Sequence, residues 1–182
     1  SYTRSLVADY SPYYQAGVRG GWKANDRWSF QLLVLNGWQI VSENNDAKSL
    51  GTQVAYTPNS VWSLTYSTLL GKEKAFRQFH DLVLKFTPSA IYQAAGQVDV
   101  GRESSTWSGF TFIQRVRLQQ ALHLVVRAER YWDPEGAIVG LQTWGASLGF
   151  DYAVTPQALL RTEFRSLSAV DQAWTTSLAL RL

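Results

Sequence analysis

The stretch Ala158-Leu-Leu-Arg-Thr-Glu-Phe-Arg-Ser-Leu167 decides the fold. Its charged residues, Arg161, Glu163 and Arg165, all occupy odd positions, whereas its even positions carry alanine, leucine, threonine, phenylalanine and serine. A helix would distribute these charges around its circumference, but the side chains of a strand alternate between two faces. The stretch is therefore predicted to be a β-strand with one charged face and one face of apolar and small residues.

Similar segments follow one another along the whole chain, separated by turn signals rich in Pro, Asn, Asp and Gln. Most are about 8 to 12 residues long, close to the length with which a tilted strand crosses a bilayer. The predicted strands are Gln15–Trp22, Trp28–Gly37, Leu50–Thr57, Val61–Leu70, Gln78–Thr87, Ile91–Gly101, Ser108–Arg117, Ala121–Trp132, Thr143–Val154, Ala158–Leu167 and Ala173–Leu182, with Tyr2–Ala8 as one more, partial strand. Single-chain bacterial barrels have an even number of strands. We therefore predict an all-β fold: a closed up-and-down antiparallel transmembrane β-barrel of twelve strands, one domain over residues 1–182, with ten strands as the alternative.

The connections between these strands are predicted to alternate strictly between short and long. This alternation places tight turns at one end of the barrel and long loops at the other. The predicted long loops are Gln39–Ser49, Gly71–Arg77, Arg102–Trp107, Asp133–Gln142 and Ser168–Gln172. Two of them, Gln39–Ser49 and Asp133–Gln142, have the length to fold inward and narrow a pore.

The odd-numbered face is predicted to line a polar lumen, because charges within the strands fall almost entirely at odd positions. The predicted pore-lining residues are Arg19, Asp81, Lys85, Asp99, Arg115, Arg117, Arg127, Glu129, Asp151, Arg161, Glu163 and Arg165. Even-numbered exceptions are Arg4 and Arg130. Because basic residues outnumber acidic ones, the lumen is predicted to have a mild anion preference. The alternative is that Arg and Glu neutralise each other, brace the wall and nearly occlude the pore.

The even-numbered face is predicted to meet lipid. Aromatic residues gather on it beside the short turns, where a membrane-interface belt of amphipathic rings belongs. This belt comprises Trp22, Trp28, Tyr56, Trp62, Phe86, Tyr92 and Tyr152, and a second belt near the loops is expected from Trp38, Trp132, Trp144 and Trp174. A soluble barrel with the even face as its core is the alternative, but ten to twelve strands enclose more space than side chains fill.

Composition excludes several other functions. Charged residues make up 17% of the chain, below the roughly 25% of ordinary soluble domains, and the net charge of +3 comes without a basic cluster that would suggest nucleic-acid binding. Cysteine is absent, and no spacing of metal ligands is present. The two histidines, His80 and His123, have no convincing nucleophile beside them in the sequence. We therefore expect no enzymatic activity, no metal and no cofactor.

Seven segments resemble the OmpL-like β-barrel porins of Gram-negative outer membranes. They are Ser1–Tyr14, Val34–Gln39, Lys48–Pro58, Gln97–Gly101, Ala128–Pro134, Ala146–Tyr152 and Leu160–Arg165. The resemblance covers nearly all of the chain and implies an outer-membrane pore for small solutes, without catalytic residues. Outer-membrane strands often end in an aromatic residue that the assembly machinery reads, whereas this chain ends in Leu182.

The sequence thus predicts a porin-like channel for passive diffusion of small hydrophilic solutes or ions across the bacterial outer membrane. Its expected partners are the lipid bilayer, those solutes and the outer-membrane assembly machinery, and nucleic acid is not expected. Two alternatives remain open at this stage. One is a non-conducting or engineered outer-membrane barrel that serves as an anchor or scaffold, and the other is a soluble ligand-binding β-barrel.

Overall fold

In a computed structural model of the protein, residues 3–42, 47–168 and 170–180 are described, and they form one antiparallel sheet of eleven strands preceded by a short helix. The helix α1 spans Leu6–Asp9, and the strands are β1 (Gly17–Lys23), β2 (Trp28–Leu35), β3 (Ser49–Tyr56), β4 (Trp62–Lys72), β5 (Phe76–Phe86), β6 (Tyr92–Arg102), β7 (Thr106–Gln119), β8 (Leu122–Trp132), β9 (Gln142–Thr155), β10 (Ala158–Leu167) and β11 (Val170–Leu180). Each strand pairs with the next one in the chain. The predicted all-β, up-and-down antiparallel meander is therefore confirmed.

The alternation of side chains predicted from the sequence is visible in their burial. In β8 and β9 the odd-numbered residues from Val125 to Tyr131 and from Ser147 to Asp151 are buried, while the even-numbered Leu148 and Phe150 are exposed. We call the odd-numbered side of the sheet the inner face and the even-numbered side the outer face. Large exposed hydrophobic side chains within the strands all lie on the outer face. A core of even-numbered residues, which the soluble-barrel alternative requires, is not what these strands form.

Polar side chains on the outer face hydrogen-bond to one another across neighbouring strands. The pairs are Thr52 with Thr68 at 2.7 Å, Tyr66 with His80 at 2.7 Å, Tyr92 with Gln114 at 3.3 Å and Thr162 with Thr176 at 3.3 Å. In water such groups need no partner, but in hydrocarbon an unpaired hydroxyl is costly. This pairing is what an outer face in contact with lipid requires.

The first predicted strand is not a strand. Within the predicted segment Tyr2–Ala8, residues 1 and 2 lie outside the described residues, and Leu6–Asp9 forms one turn of helix with Ser5 as its N-cap. The Ser5 hydroxyl accepts a hydrogen bond from the backbone N–H of Ala8 at 3.3 Å. Arg4, one of the even-numbered exceptions, precedes this helix and pairs with Asp9 at 3.1 Å.

Several predicted loops are shorter than expected. The β4–β5 and β6–β7 connections are three-residue turns, residues 73–75 and 103–105, because both strands of each hairpin extend farther than the sequence pattern indicated. β10 ends at Leu167 and β11 begins at Val170. Among the strands of the described residues, only β2 and β3, and β8 and β9, are far apart in the chain at that end, so the strict alternation of short and long loops is wrong.

The described residues form eleven strands, where the prediction is twelve, with ten as the alternative. The outermost strands, β1 and β11, do not pair with each other among the described residues, so the sheet has two edges. Both edge strands are largely exposed. Because consecutive strands alternate in direction, β1 and β11 run the same way.

Hydrophobic residues of distant strands meet on the inner face near the loop end. The buried cluster combines residues of β2, β4, β5, β7 and β8 with residues from the helix and from the loop after β2: Leu6, Leu35, Trp38, Leu69, Phe79, Trp107 and Tyr131. Such contacts across seven strands require the inner face to be concave. Trp38 is only 7% exposed and packs edge-on against Phe79 at 5.0 Å, so its predicted place in the second aromatic belt is wrong. No helix in the described parts of the chain is long and apolar enough to cross a membrane.

Candidate pore

The charged side chains of the inner face form three groups at different heights. One group lies on β8 and β10, one on β7, β9 and β10 nearer the short turns, and one on β5 and β6. All twelve predicted pore-lining residues lie on odd positions of β1 and β5–β10, on the inner face. Arg19, Lys85 and Arg117 make no ion pair with the described residues and stand apart from these groups.

The first group is a buried network of two arginines and two glutamates. Arg127 contacts Glu129 at 3.4 Å and Glu163 at 3.0 Å, and Arg165 contacts Glu129 at 2.9 Å. Arg127 and both glutamates are 1% exposed. Charges desolvated to this degree persist only when they are paired and hydrogen-bonded. The four charges cancel, as the neutralised-wall alternative expects for this part of the pore.

The N-terminal segment is bound to this network. Glu163 accepts a hydrogen bond from the Thr3 backbone N–H at 2.7 Å, and Glu129 accepts one from the Leu6 backbone N–H at 2.8 Å. Arg127 donates to the Thr3 carbonyl and to its hydroxyl, both at 2.7 Å. The helix α1 packs against β6, β7 and β8. The segment therefore fills part of the space that the inner face encloses.

Sequence analysis missed this inner segment. The even strand number of bacterial barrels favoured a partial strand at Tyr2–Ala8, but the segment binds buried carboxylates through its backbone N–H groups, which no sequence pattern records. The one local signal was Ser5 before an apolar pair, an N-cap pattern that predicts a helix start.

The second group is a pair of arginines sharing one carboxylate. Asp151 is 3.5 Å from Arg115 and 3.4 Å from Arg161, and both arginines keep more than a third of their side-chain surface exposed. Arg117 lies on β7, the strand of Arg115, and Lys85 lies on β5, both toward the same short-turn end. Positive charge exceeds negative charge here, in contrast to the neutral network above.

The third group is acidic. Asp81 and Asp99 are direct partners in the β5–β6 register, and the Gln97 side chain donates to both, at 3.0 Å and 3.1 Å. Toward β1 the inner face remains polar but without carboxylates, and the Gln31 side chain donates a hydrogen bond to that of Gln53 at 3.0 Å. Polar cavities remain along this side, one of them about 280 Å³ in volume and lined by Asp81, Gln97 and residues 11–15.

An ion pair that the sequence did not suggest stabilises the loop end. Arg77 contacts Glu103 at 2.7 Å, and its guanidinium lies 4.9 Å from the centre of the Trp38 ring. Glu103 also accepts from the backbone N–H groups of Lys74 and Ala75, each at 2.9 Å. Burial by itself raises the pKa of the Glu103 carboxyl, but these hydrogen bonds and the arginine outweigh it and hold that pKa below its usual range.

The loop after β8 is organised by Asp133. Its carboxylate accepts hydrogen bonds from the backbone N–H groups of residues 137, 138, 139 and 140 at 2.8–2.9 Å. These bonds outweigh burial and lower the pKa of Asp133. The loop so fixed packs Ile138 and Leu141 against the hydrophobic cluster. It therefore does fold inward, as its length suggested. Within Gln39–Ser49, residues 43–46 lie outside the described residues, and it is Trp38, just before the loop, that turns inward.

The seven residues of the predicted membrane-interface belt all lie on the outer face beside the short turns. Several form pairs across strands, with ring centres 4.3 Å apart for Trp28 and Tyr56 and 4.2 Å apart for Trp62 and Phe86. The ring contacts link Trp22, Phe30, Trp28 and Tyr56 into one aromatic group and Trp62, Phe86 and Tyr92 into a second. In the described parts of the chain no three His, Asp or Glu side chains come together as metal ligands.

Comparison with known proteins agrees with this architecture. The sequence model of a protein family described as "Putative beta-barrel porin-2, OmpL-like" matches residues 1–178. A search of curated proteins gives no significant match. Among solved structures, a KdgM porin superposes with a TM-score of 0.52 at 10% identity, covering 93% of this chain and 95% of the porin. A KdgM porin in complex with disordered oligogalacturonate gives the same TM-score and coverage at 9% identity. At these identities the structural likeness concerns the fold.

Proposed function

The chain belongs to the OmpL-like β-barrel porin family of outer membranes, and from this premise we propose that it is a passive channel for small hydrophilic solutes or ions. The observation that supports this most is the composition of its two faces. The inner face carries charged and amide side chains beside polar cavities, while the outer face carries the exposed large hydrophobic residues of the strands. Stepwise conductance after reconstitution into planar bilayers tests the proposal, and a membrane that stays silent at every voltage would overturn it.

We propose that the sheet is closed in the membrane and that a twelfth strand lies between β1 and β11. Open edges leave backbone groups unpaired in hydrocarbon, which only closure avoids. Since β1 and β11 run the same way, one further strand would be antiparallel to both. Because the chain has no cysteine, a Gly20→Cys/Thr176→Cys variant tests this cleanly. Neighbouring strands lie about 4.8 Å apart. Direct β1–β11 pairing therefore allows a disulfide, whereas an intervening strand allows only a crosslinker of about 10 Å.

We propose a mild anion preference, which arises at the short-turn end. The buried network on β8 and β10 is neutral, so it adds no net charge to the pore. Toward the short turns, four basic residues face the single carboxylate of Asp151: Lys85, Arg115, Arg117 and Arg161. Unpaired positive charge in a confined space attracts anions. Reversal potentials in a salt gradient measure this selectivity, and a cation-selective channel would reject the proposal. Oligogalacturonate is a polyanion, so acidic oligosaccharides are the first solutes to test.

A specific observation favours a second candidate, a barrel that conducts poorly or not at all. The aromatic cluster around Trp38 and Trp107, together with the segment Thr3–Asp9, occupies the inner space near the loop end. In the described parts of the chain, the polar cavities beside β1–β6 lie away from this obstruction. A reconstituted protein that is folded by heat-modifiable gel mobility but silent in bilayers would identify this candidate.

A further inference from the structure

An arginine on the outer face is held between two tryptophans. Arg130 is even-numbered, and its guanidinium carbon lies 4.9 Å from the centre of the Trp132 ring and 4.7 Å from that of Trp144. Its Nε is buried without a hydrogen-bond acceptor, and no carboxylate of the described residues pairs with it. Two rings fix the orientation of this cation while leaving its N–H groups without an anionic partner.

Two other basic residues share this placement. The longer β4 and β6 end in Lys72 and Arg102, both even-numbered and exposed. Every other lysine or arginine within a strand occupies an odd position. The three outer-face basic residues all lie at the loop end of β4, β6 and β8, and the short-turn end has none. A cost of burial in lipid does not by itself explain why only one end carries them.

The register places these residues at the membrane surface. Ten residues separate Trp62 from Lys72, Tyr92 from Arg102 and Leu122 from Trp132. Trp62, Tyr92 and Leu122 form one line across the sheet near the short turns, and Lys72, Arg102 and Trp132 form a second line at the loop end. Each line shifts by two residues in strand register from β4 to β6 and from β6 to β8. This shift corresponds to a strand tilt of about 35°, so ten residues rise by about 27 Å. That rise matches the apolar band of an outer-membrane barrel, about 25 Å. The basic residues therefore lie at the interface opposite the aromatic belt.

We propose that Lys72, Arg102 and Arg130 form a binding surface for the phosphate groups of lipid headgroups in the leaflet on the loop side. Guanidinium groups bind phosphate oxygens through two parallel hydrogen bonds, and lysine adds a point charge. The three residues lie on alternate strands, about 10 Å apart across the sheet. In strand register Arg102 is shifted by two residues from the position level with Lys72, and Arg130 by four from the position level with Arg102, so neighbouring Cα atoms are about 12 Å and about 16 Å apart. The long basic side chains reach across these distances toward phosphates of adjacent lipid headgroups or two phosphates on one large headgroup.

No carboxylate of the described residues forms an ion pair with these three cations. Glu73, beside Lys72, instead accepts a hydrogen bond from the Trp38 backbone N–H at 2.6 Å. Glu103 is engaged by Arg77 and by backbone N–H groups, and Asp133 by the backbone of its own loop. Both carboxylates are buried away from the outer face. The outer surface at this height is thus locally basic and flanked by Trp132 and Trp144, a combination suited to anionic lipid at an interface.

Lipid retention tests the proposal. The wild-type protein, reconstituted in phosphatidylcholine with or without phosphatidic acid, is examined by native mass spectrometry for co-purifying lipid. We expect selective retention of phosphatidic acid, and a roughly tenfold or greater loss of affinity in Lys72→Gln/Arg102→Gln/Arg130→Gln, the scale of one charge-assisted hydrogen bond. Heat-modifiable gel mobility confirms that each variant is folded before it is compared.

The matched control removes three charges from the inner face instead, in Arg19→Gln/Lys85→Gln/Arg117→Gln. We expect this control to retain phosphatidic acid like the wild type. Equal retention of both lipids by the wild type, or equal loss in the two triple variants, would overturn the proposal. Inorganic phosphate added to the phosphatidic acid sample should not displace the lipid, and displacement would show a site for free phosphate instead. None of these readouts depends on conductance, so this proposal can fail while the channel proposal stands.

Discussion

An arginine scan across β5 and β6 tests directly which face of the sheet touches hydrocarbon. Leu82 and Leu84 lie on the outer face of β5, whereas Gln97 lies on the inner face of β6, paired in register with Val83. The three positions are close together in the sheet. Differences in unfolding free energy between the three arginine variants therefore reflect which face each side chain lies on and how deep it lies in the bilayer.

The depth of each side chain in the bilayer determines how much an arginine at that position should destabilise the protein. Leu82 lies four residues from Phe86 of the aromatic belt, and Leu84 lies two residues from it. With a rise of about 3.3 Å per residue and a tilt of about 35°, Leu82 is about 11 Å below the belt, near the middle of the apolar band, and Leu84 about 5 Å below it. Leu82→Arg should then cost about 2–4 kcal/mol, and Leu84→Arg about 1–2 kcal/mol because its guanidinium can reach the interface.

Gln97→Arg should cost less than either. Its side chain already lies 3.0 Å from Asp81 and 3.1 Å from Asp99, so an arginine there meets two carboxylates in a polar space. The assay is equilibrium unfolding from lipid vesicles in urea, with the midpoint compared at constant slope. The expected order of destabilisation is Leu82→Arg, then Leu84→Arg, then Gln97→Arg. A Gln97→Arg variant as destabilised as Leu82→Arg would refute the assignment of the even-numbered face to lipid.

Three further predictions concern the inner segment, the outer-face pairs and the loop end. Glu129→Gln weakens the hold on the Leu6 backbone N–H and should raise single-channel conductance or its fluctuations, and an unaltered current would show that the segment does not obstruct the pore. Tyr66→Phe removes the hydrogen-bond partner of His80 on the outer face and should lower the free energy of unfolding from vesicles by about 1 kcal/mol. The double variant Tyr66→Phe/His80→Leu should recover this free energy. Equal stability of the wild type and both variants would contradict the prediction. Folding lowers the pKa of the Glu103 carboxyl below its value of 4.5 in the unfolded chain. The contribution of Glu103 to the stability of the folded protein is therefore fully present above pH 4.5, and it is lost as the pH falls from there through the folded pKa. Loop-end protease resistance should therefore fall in acid, with a shallower dependence in Glu103→Gln, and an identical pH profile in that variant would contradict the assignment.

The predicted pore-lining and belt residues were assigned to their faces by a single property, their odd or even position in the chain. Arg127 and Trp62 could be assigned to opposite faces without coordinates, because successive side chains of a strand alternate strictly and hydrocarbon tolerates few charges. The same rule located Arg130 as an exception. Its significance depended on Lys72 and Arg102, which joined it only when the strands proved longer than their sequence pattern.

Assigning residues by odd or even position also had clear limits. It assigned Trp38 to an aromatic belt because it lies beside a loop, but the loop turns inward and buries that ring against Phe79. The partial strand predicted at Tyr2–Ala8 came from the even strand number expected of a barrel, which says nothing about a segment bound through its backbone N–H groups. Loop paths and buried carboxylates are set by contacts between residues far apart in the chain.

By itself the sequence determined the fold class, the order of the strands and the face of the sheet on which the large exposed hydrophobic side chains lie. Those properties follow from local alternation and from turn residues, and each strand needs only its neighbours in the chain to be placed. The tertiary structure alone decided how much of the enclosed space remains available for solutes. That quantity depends on which buried charges cancel, where the N-terminal segment binds and how Asp133 and Trp38 place their loops, and none of these contacts leaves a periodic pattern in the sequence.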